Sequence, residues 1–336
     1  MKMLKFISLT SLAAALALTG CGDDDNDDPS GAGATGGNAG RGGSGGSAGM
    51  SGGGGTAGAP AAQDIVTIAS GNPDFESLVA AVQKANLVDT LKGPGPFTVF
   101  APTDAAFAAL LESLDVTFDE LTAEQLAPIL TYHVVADEVT ASEVTSLNSA
   151  KTVNGADFRI RVEGGKVVLS AGNGDINVTT TDIEASNGVI HVIDKVMLPP
   201  DNIPTVAQAA GFTSLVAALQ KAGLADDLAG AGPFTVFAPT NAAFSTALQS
   251  LGVTLETIDV NTLSSVLRYH VVPTKAYSEA VVGLNSVTTL LGADVSIAVT
   301  GANVRLNGST NVTQTNVLAN NGVIHVVDRV LLPPAD

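Results

Sequence analysis

Four histidines and one cysteine are the side chains of this 336-residue chain best suited to chemistry. The histidines form two similar pairs, His133 with His191 and His270 with His325, so each pair is a candidate metal site or general base. Spacing speaks against both roles. No His-x-His or His-x-x-x-His stretch sets two imidazoles on one strand or helix face, and no second thiol is present. The other reading is that the imidazoles satisfy buried backbone groups, with Asp194 and Asp328 as hydrogen-bond partners at strand ends. No Gly-x-Ser-x-Gly elbow joins a strand to a helix, and the Gly-rich run at 31–62 lacks the Gly-Lys-Ser/Thr ending of a phosphate loop. The expectation is therefore no catalytic residue, no metal and no cofactor. Asn177-Val178-Thr179 and Asn311-Val312-Thr313 match the glycan acceptor pattern, and no glycan is expected on either.

The cysteine has a more specific reading. Lys2 and Lys5 precede an apolar stretch from Phe6 to Leu18, too short to span a bilayer, as in a secretory signal peptide over 1–20. Leu18-Thr19-Gly20-Cys21 then resembles the bacterial lipobox, which makes Cys21 the expected lipidation site and the membrane a partner through that anchor alone. Gly22 after the cysteine is similar to the pattern that sorts lipoproteins to the outer membrane. Asp23, Asp24, Asp25, Asp27 and Asp28 follow, and then Gly, Ser, Ala and Thr dominate to residue 62. Such a composition buries too little to offset the entropy of ordering, so 21–62 is expected to be a disordered tether.

Charge narrows the partners. With 33 acidic against 15 basic side chains, the net charge of −18 repels a phosphate backbone, and nucleic acid is excluded.

The rest of the chain is written twice. Gly95-Pro96-Phe97-Thr98-Val99-Phe100-Ala101-Pro102-Thr103 recurs letter for letter from Gly232 to Thr240, an offset of 137. Tyr132-His133-Val134-Val135 recurs at Tyr269 to Val272, and Asn187-Gly188-Val189-Ile190-His191-Val192 at Asn321 to Val326. Each copy is long enough to bury a core of its own, so two tandem domains are expected, 63–200 and 201–336. They differ in charge: 19 acidic and 7 basic side chains in the first, 9 and 5 in the second.

Within a copy, the pattern predicts which elements hold the repeated motifs. Phe75, Leu78, Val79 and Val82 follow i, i+3, i+4, i+7, an amphipathic helix matched by Phe212, Leu215, Val216 and Leu219. Phe97 to Phe100 reads as a strand ended by Pro102, with Thr103 and Asp104 placed to cap a helix through Leu111. Thr122 with Gln125 forms a capping box for another helix, stapled by Leu121 and Leu126. Phe158, Ile160 and Val162 then alternate, Glu163-Gly164-Gly165 turns, and Lys166 to Ser170 returns. Helices first and hairpins later give an α+β class.

The three repeated segments, Phe-Thr-Val-Phe-Ala-Pro-Thr, Tyr-His-Val-Val and Asn-Gly-Val-Ile-His-Val, resemble the signature segments of the fasciclin domain, and both copies carry them in order. The resemblance implies a wedge-shaped β-sandwich with several helices in each copy. It implies adhesion or matrix binding, with cell-surface or matrix proteins or polysaccharides as partners and no catalysis. It also implies candidate binding residues: Tyr132 and His133, Tyr269 and His270 for the Tyr-His region, and Asp182 with Ile183 ahead of the final motif, where the second copy departs with Asn316-Val317. The address expected is the bacterial cell envelope, lipid-anchored, at the outer membrane and surface-exposed. The alternatives are a non-adhesive scaffold on the periplasmic side and a small-ligand carrier or enzyme, the last predicting an apolar pocket near His133 or His191.

Overall fold

Amphipathic pattern and capping decide where the first copy becomes helical. Helix α1 (Ile65–Ser70) is capped by the Asp64 carboxylate, which accepts from Thr67 N at 2.7 Å. Helix α2 (Glu76–Lys84) buries Leu78 and Val82, with Phe75 just ahead of it, and leads to the short α3 (Val88–Leu91). Strand β1 (Phe97–Pro102) follows, then α4 (Asp104–Leu114), whose N-cap is Thr103. Helix α5 (Ala123–Tyr132) carries the expected capping box, with Thr122 N donating to Gln125 Oε1 at 2.9 Å. These elements belong to a computed structural model that describes residues 63–301 and 303–334. The expected signal peptide at 1–20, Cys21 and the tether at 21–62 lie outside the described residues.

Strands dominate from there: β2 (Val134–Val135), β3 (Ser149–Lys151), β4 (Asp157–Glu163), β5 (Lys166–Ala171), β6 (Gly174–Ala185) and β7 (Gly188–Ile193), with α6 (Ala141–Val144) between β2 and β3. Their order is β2-β1-β7-β6-β5-β4-β3. The chain's front and back meet at the centre, where β1 lies parallel to β7 with Phe97 opposite Gly188. Strand β6 serves both halves of the sheet. Residues 174–177 pair with β5, 178–185 pair with β7, and register shifts near Thr180 bend the strand between them.

The bend folds the sheet onto itself and creates two cores. Val99, Ala101, Ile190 and Val192 pack against the helices, while Phe100 and Ile193 meet Phe158, Ile160, Leu169 and Ile176 from the back half. Phe100 and Phe158 stand edge to face, ring centres 5.1 Å apart. Strands β1 and β7 are thus buried on both faces, which explains their unbroken apolar runs. The sandwich implied by the resemblance is therefore one continuous seven-stranded sheet bent around an inner core.

The second copy repeats this plan. Its elements are α7 (Ile203–Ala209), α8 (Thr213–Lys221), α9 (Ala225–Ala229), β8 (Phe234–Pro239), α10 (Asn241–Leu251), α11 (Val260–Tyr269), β9 (Val271–Val272), α12 (Ser278–Val281), β10 (Ser286–Thr288), β11 (Asp294–Thr300), β12 (Asn303–Leu306), β13 (Thr310–Ala319) and β14 (Gly322–Val327). The strand order is β10-β11-β12-β13-β14-β8-β9, with β8 parallel to β14.

Asn187 and Asn321 do more than turn the chain. Asn187 Oδ1 accepts from Ile65 N at 3.0 Å, and its Nδ2 donates to Leu91 O at 2.8 Å and Gly93 O at 2.9 Å. Asn321 makes the same three bonds, to Ile203 N, Leu228 O and Gly230 O. One side-chain amide, buried in Asn187 and half-buried in Asn321, therefore ties the first helix of each copy and the segment entering its central strand to the final hairpin.

Candidate functional site

The Tyr-His segment closes α5, and its side chains turn inward. Tyr132 is buried, and its hydroxyl donates to Asp157 O at 3.0 Å. His133 Nδ1 donates to Ile129 O at 2.7 Å, while Met197 N donates to Nε2 at 2.9 Å. Both ring nitrogens are spent and the neutral tautomer is fixed, so burial pushes this imidazole down to about 4. His270 repeats the arrangement with Val266 O and Leu331 N, and its pKa is also lowered to about 4 by burial. The Tyr269 hydroxyl donates to Asp294 O at 2.8 Å.

His191 sits on the other face of the sheet strand: Nε2 donates to Val139 O at 2.8 Å, and Asp182 N donates to Nδ1 at 3.3 Å. His325 does the same with Ala276 O and Asn316 N. Asp194 and Asp328 bind Asn177 and Asn311 through backbone and side-chain amides, which also occupies the two glycan-pattern asparagines. Among the described residues, no group of three His, Cys, Asp or Glu side chains is placed to hold a metal.

Asp182 is exposed in a left-handed backbone conformation (φ 58°), and its carboxylate accepts from Ala141 N at 2.9 Å. Ile183 is half-buried against the helical core. Of the six candidate binding residues, a partner arriving from solvent meets Asp182 and part of Ile183; Tyr132, His133, Tyr269 and His270 lie inside.

A cluster of charges lies elsewhere, where β4 of the first copy meets the β9–α12 segment of the second. Arg159 Nη1 and Nη2 donate to Glu279 Oε2 and Oε1 at 2.9 and 2.6 Å. Lys275 Nζ donates to Asp157 Oδ2 at 3.0 Å, and the Tyr277 hydroxyl donates to the same oxygen at 3.2 Å. The Arg159 guanidinium lies 4.9 Å from the centre of the Tyr277 ring. The Arg159 hydrogen bonds hold the Glu279 carboxyl well below its usual range, at about 2. Burial, followed by the Asp157 charge, pushes the Tyr277 phenol up. The Asp157 carbonyl accepts from Tyr132, so the contact is anchored to the first copy's inner core.

Nothing in a single copy marks these five residues, but comparing the copies marks four of them, Asp157 being matched by Asp294. At the offset of 137, Arg159 faces Ser296, Lys275 faces Glu138, Tyr277 faces Thr140 and Glu279 faces Ser142. The four residues in contact differ from their counterparts in the other copy. A charge reversal between Glu138 and Lys275 is the clearest signal, and it is visible in the sequence.

Comparison with known proteins agrees with the duplicated architecture. A family model described as the Fasciclin domain matches twice, at residues 73–199 and 210–333. The chain is 46% identical over 144 residues to protein sll1483 of Synechocystis, covering 42% of this chain and 76% of that one. It is 33% identical over 251 residues to the transforming growth factor-beta-induced protein ig-h3 of Sus scrofa, covering 72% of this chain but 35% of the relative. It is 37% identical over 150 residues to the cell surface glycolipoprotein MPB83 of Mycobacterium bovis, covering 42% of this chain and 64% of the relative. Two matched copies of the signature sheet, each with its own pair of cores, lead to one conclusion: the chain belongs to the fasciclin domain family.

Proposed function

We propose that this protein is a lipid-anchored component of the bacterial envelope whose two fasciclin domains act as a braced pair, binding proteins or polysaccharides at the cell surface without catalysing a reaction. The observation that carries the reading is the contact built by Asp157, Arg159, Lys275, Tyr277 and Glu279. Tandem weak sites gain avidity only when their geometry lets both engage, and a braced pair holds that geometry without an entropic cost at each encounter. The buried histidines have their ring nitrogens bonded to backbone and are not poised as general bases, which favours binding over histidine-based catalysis.

The address rests on the sequence. Lys2, Lys5 and the apolar run ending in Leu18-Thr19-Gly20-Cys21 supply export and a lipidation site, and Gly22 favours the outer membrane. MPB83, a cell surface glycolipoprotein by name, supports the same placement. The boundaries 63–200 and 201–336 belong to this reading.

Protease shaving of intact cells expressing tagged protein tests it, with Cys21→Ser as the control for anchoring. Cleavage of both domains from whole cells, and release of the Cys21→Ser protein, are expected. Protection until the envelope is broken would move the protein to the periplasmic side and replace adhesion by a scaffold role.

A further inference from the structure

The helices of the first domain cover its sheet, leaving Val99, Ala101 and Ile190 no more than 5% exposed, and a cleft remains within the helical layer above them. Between α1, α2 and α3 on one side and β1 and β7 on the other lies a cavity of about 220 Å³. Its floor is Val99, Ala101 and Ile190, and its walls include Ala69, Leu78 and Val82. His133 reaches it too, but its ring nitrogens are bonded to backbone. Polar groups occur around the rest of the lining, among them Gln83, Thr90 and Thr131, and the single charge is the exposed Lys92 at the C-terminus of α3. An apolar cavity of this size is larger than one that holds a benzene ring in a well-studied engineered case.

The second domain has a cavity of about 210 Å³ at the equivalent place, but a different one. Leu219 narrows it where the first domain has Val82, and Asp227 and Arg268 stand where Thr90 and Thr131 stand. Sheet residues corresponding to Val99 and Ile190 are not part of its lining. The first cavity therefore borders the central strands β1 and β7 with one positive charge at its edge, whereas the second borders β9 and carries one charge of each sign.

We propose that the first domain holds a single-chain fatty acid, its alkyl chain in the cavity and its carboxylate on Lys92. The apolar walls recognise the chain by excluding water, and the lysine selects the sign of the head group. The selection is diagnostic because the surrounding domain, with 19 acidic and 7 basic side chains, would on its own attract a cationic amphiphile instead.

Calorimetric titration of the two-domain protein carrying Cys21→Ser, which removes the anchor lipid as a competitor, tests this with decanoate, decanol and decylamine below their micelle concentrations. Saturable decanoate binding at one site per chain is expected, with decylamine weaker by roughly five- to tenfold. Lys92→Glu, an exposed change that leaves the fold intact, should weaken decanoate by a similar factor and leave decanol unchanged. Ala69→Leu, which fills the cavity, should weaken decanoate and decanol alike by at least about tenfold. Absent decanoate binding, two sites per chain, equal binding of decylamine, or indifference to Lys92→Glu would each overturn the proposal. If Ala69→Leu fails to fold, the head-group comparison and Lys92→Glu still decide it.

Discussion

Arg159 and Glu279 face each other across the two domains in a two-pronged ion pair, at 2.9 and 2.6 Å, with the arginine side chain 8% exposed and the glutamate 44%. The asymmetry sets what the pair contributes. Removing the glutamate strands a nearly buried guanidinium, whereas removing the arginine leaves a carboxylate that water can reach.

Glu279→Ser, which installs the residue found at the equivalent position of the first domain, should cost about 1–2 kcal/mol, between the values for exposed and fully buried pairs. Arg159→Ser should cost less, and the double variant should reveal a coupling of about 1 kcal/mol in a denaturation cycle. Small-angle scattering of Glu279→Ser should show a broader distribution of inter-domain distances. Additive costs with unchanged scattering would mean that the pair does not brace the domains.

Acid should weaken the protein before any exposed carboxylate matters. His133 and His270 titrate at about 4 when folded against an ordinary 6.5, so the unfolded chain takes up protons first as pH falls. Their contribution is complete above pH 6.5 and is lost down to about pH 4, amounting to roughly 2 kcal/mol for each imidazole at pH 5. The Glu279 contribution, with its pKa held at about 2 against 4.5, declines over the lower window. Urea midpoints should hold between pH 7.5 and 6.5 and fall from there to pH 4.5; a flat profile would mean that the imidazoles are not held neutral in the core.

Asn187→Ala should cost about 2–4 kcal/mol, because Ile65 N, Leu91 O and Gly93 O lose their shared partner at once. Asn187→Asp keeps an acceptor for Ile65 N but turns a carboxylate toward two carbonyls, and should be no better. Thermal denaturation of both variants, with Asn321→Ala as the equivalent change, checks this. A full-stability Asn187→Asp would contradict the bonding assigned to the side-chain nitrogen.

Gly188→Ala should be among the most damaging single changes. A Cβ there would stand 1.9 Å from Phe97 O, at φ 148°, where β7 starts its parallel pairing with β1. Neither strand can yield without breaking the central ladder, so a loss above about 3 kcal/mol or failure to fold is expected, as solubility and circular dichroism would report. Gly155→Ala, where nothing lies within 4 Å, is the control for positive φ alone.

Local signals in the chain were strong where the physics is local. Thr103 and the Thr122–Gln125 box cap the helices they precede, since a cap needs only the next turn. The Glu163 to Lys166 hairpin closes with Gly164 and Gly165, both at positive φ, as its glycines indicate. Asn187-Gly188 was legible as a turn, but its side-chain role was not, because the groups it binds lie 122, 96 and 94 residues away. Asp104 was legible as part of a helix start, yet its carboxylate accepts from Ser77 N, on another helix.

The duplication, the resemblance to the family and the α+β class are legible in the chain alone, because each is written in residue order, spacing or composition. That the Tyr-His pairs face inward, that Arg159 and Asp157 meet Glu279, Lys275 and Tyr277, and that Lys92 stands at the edge of a cavity emerges in the folded chain alone. Those facts depend on which faces of distant strands and helices are brought together. A one-dimensional pattern records that a face is apolar or charged, and leaves to the folded chain what that face will meet.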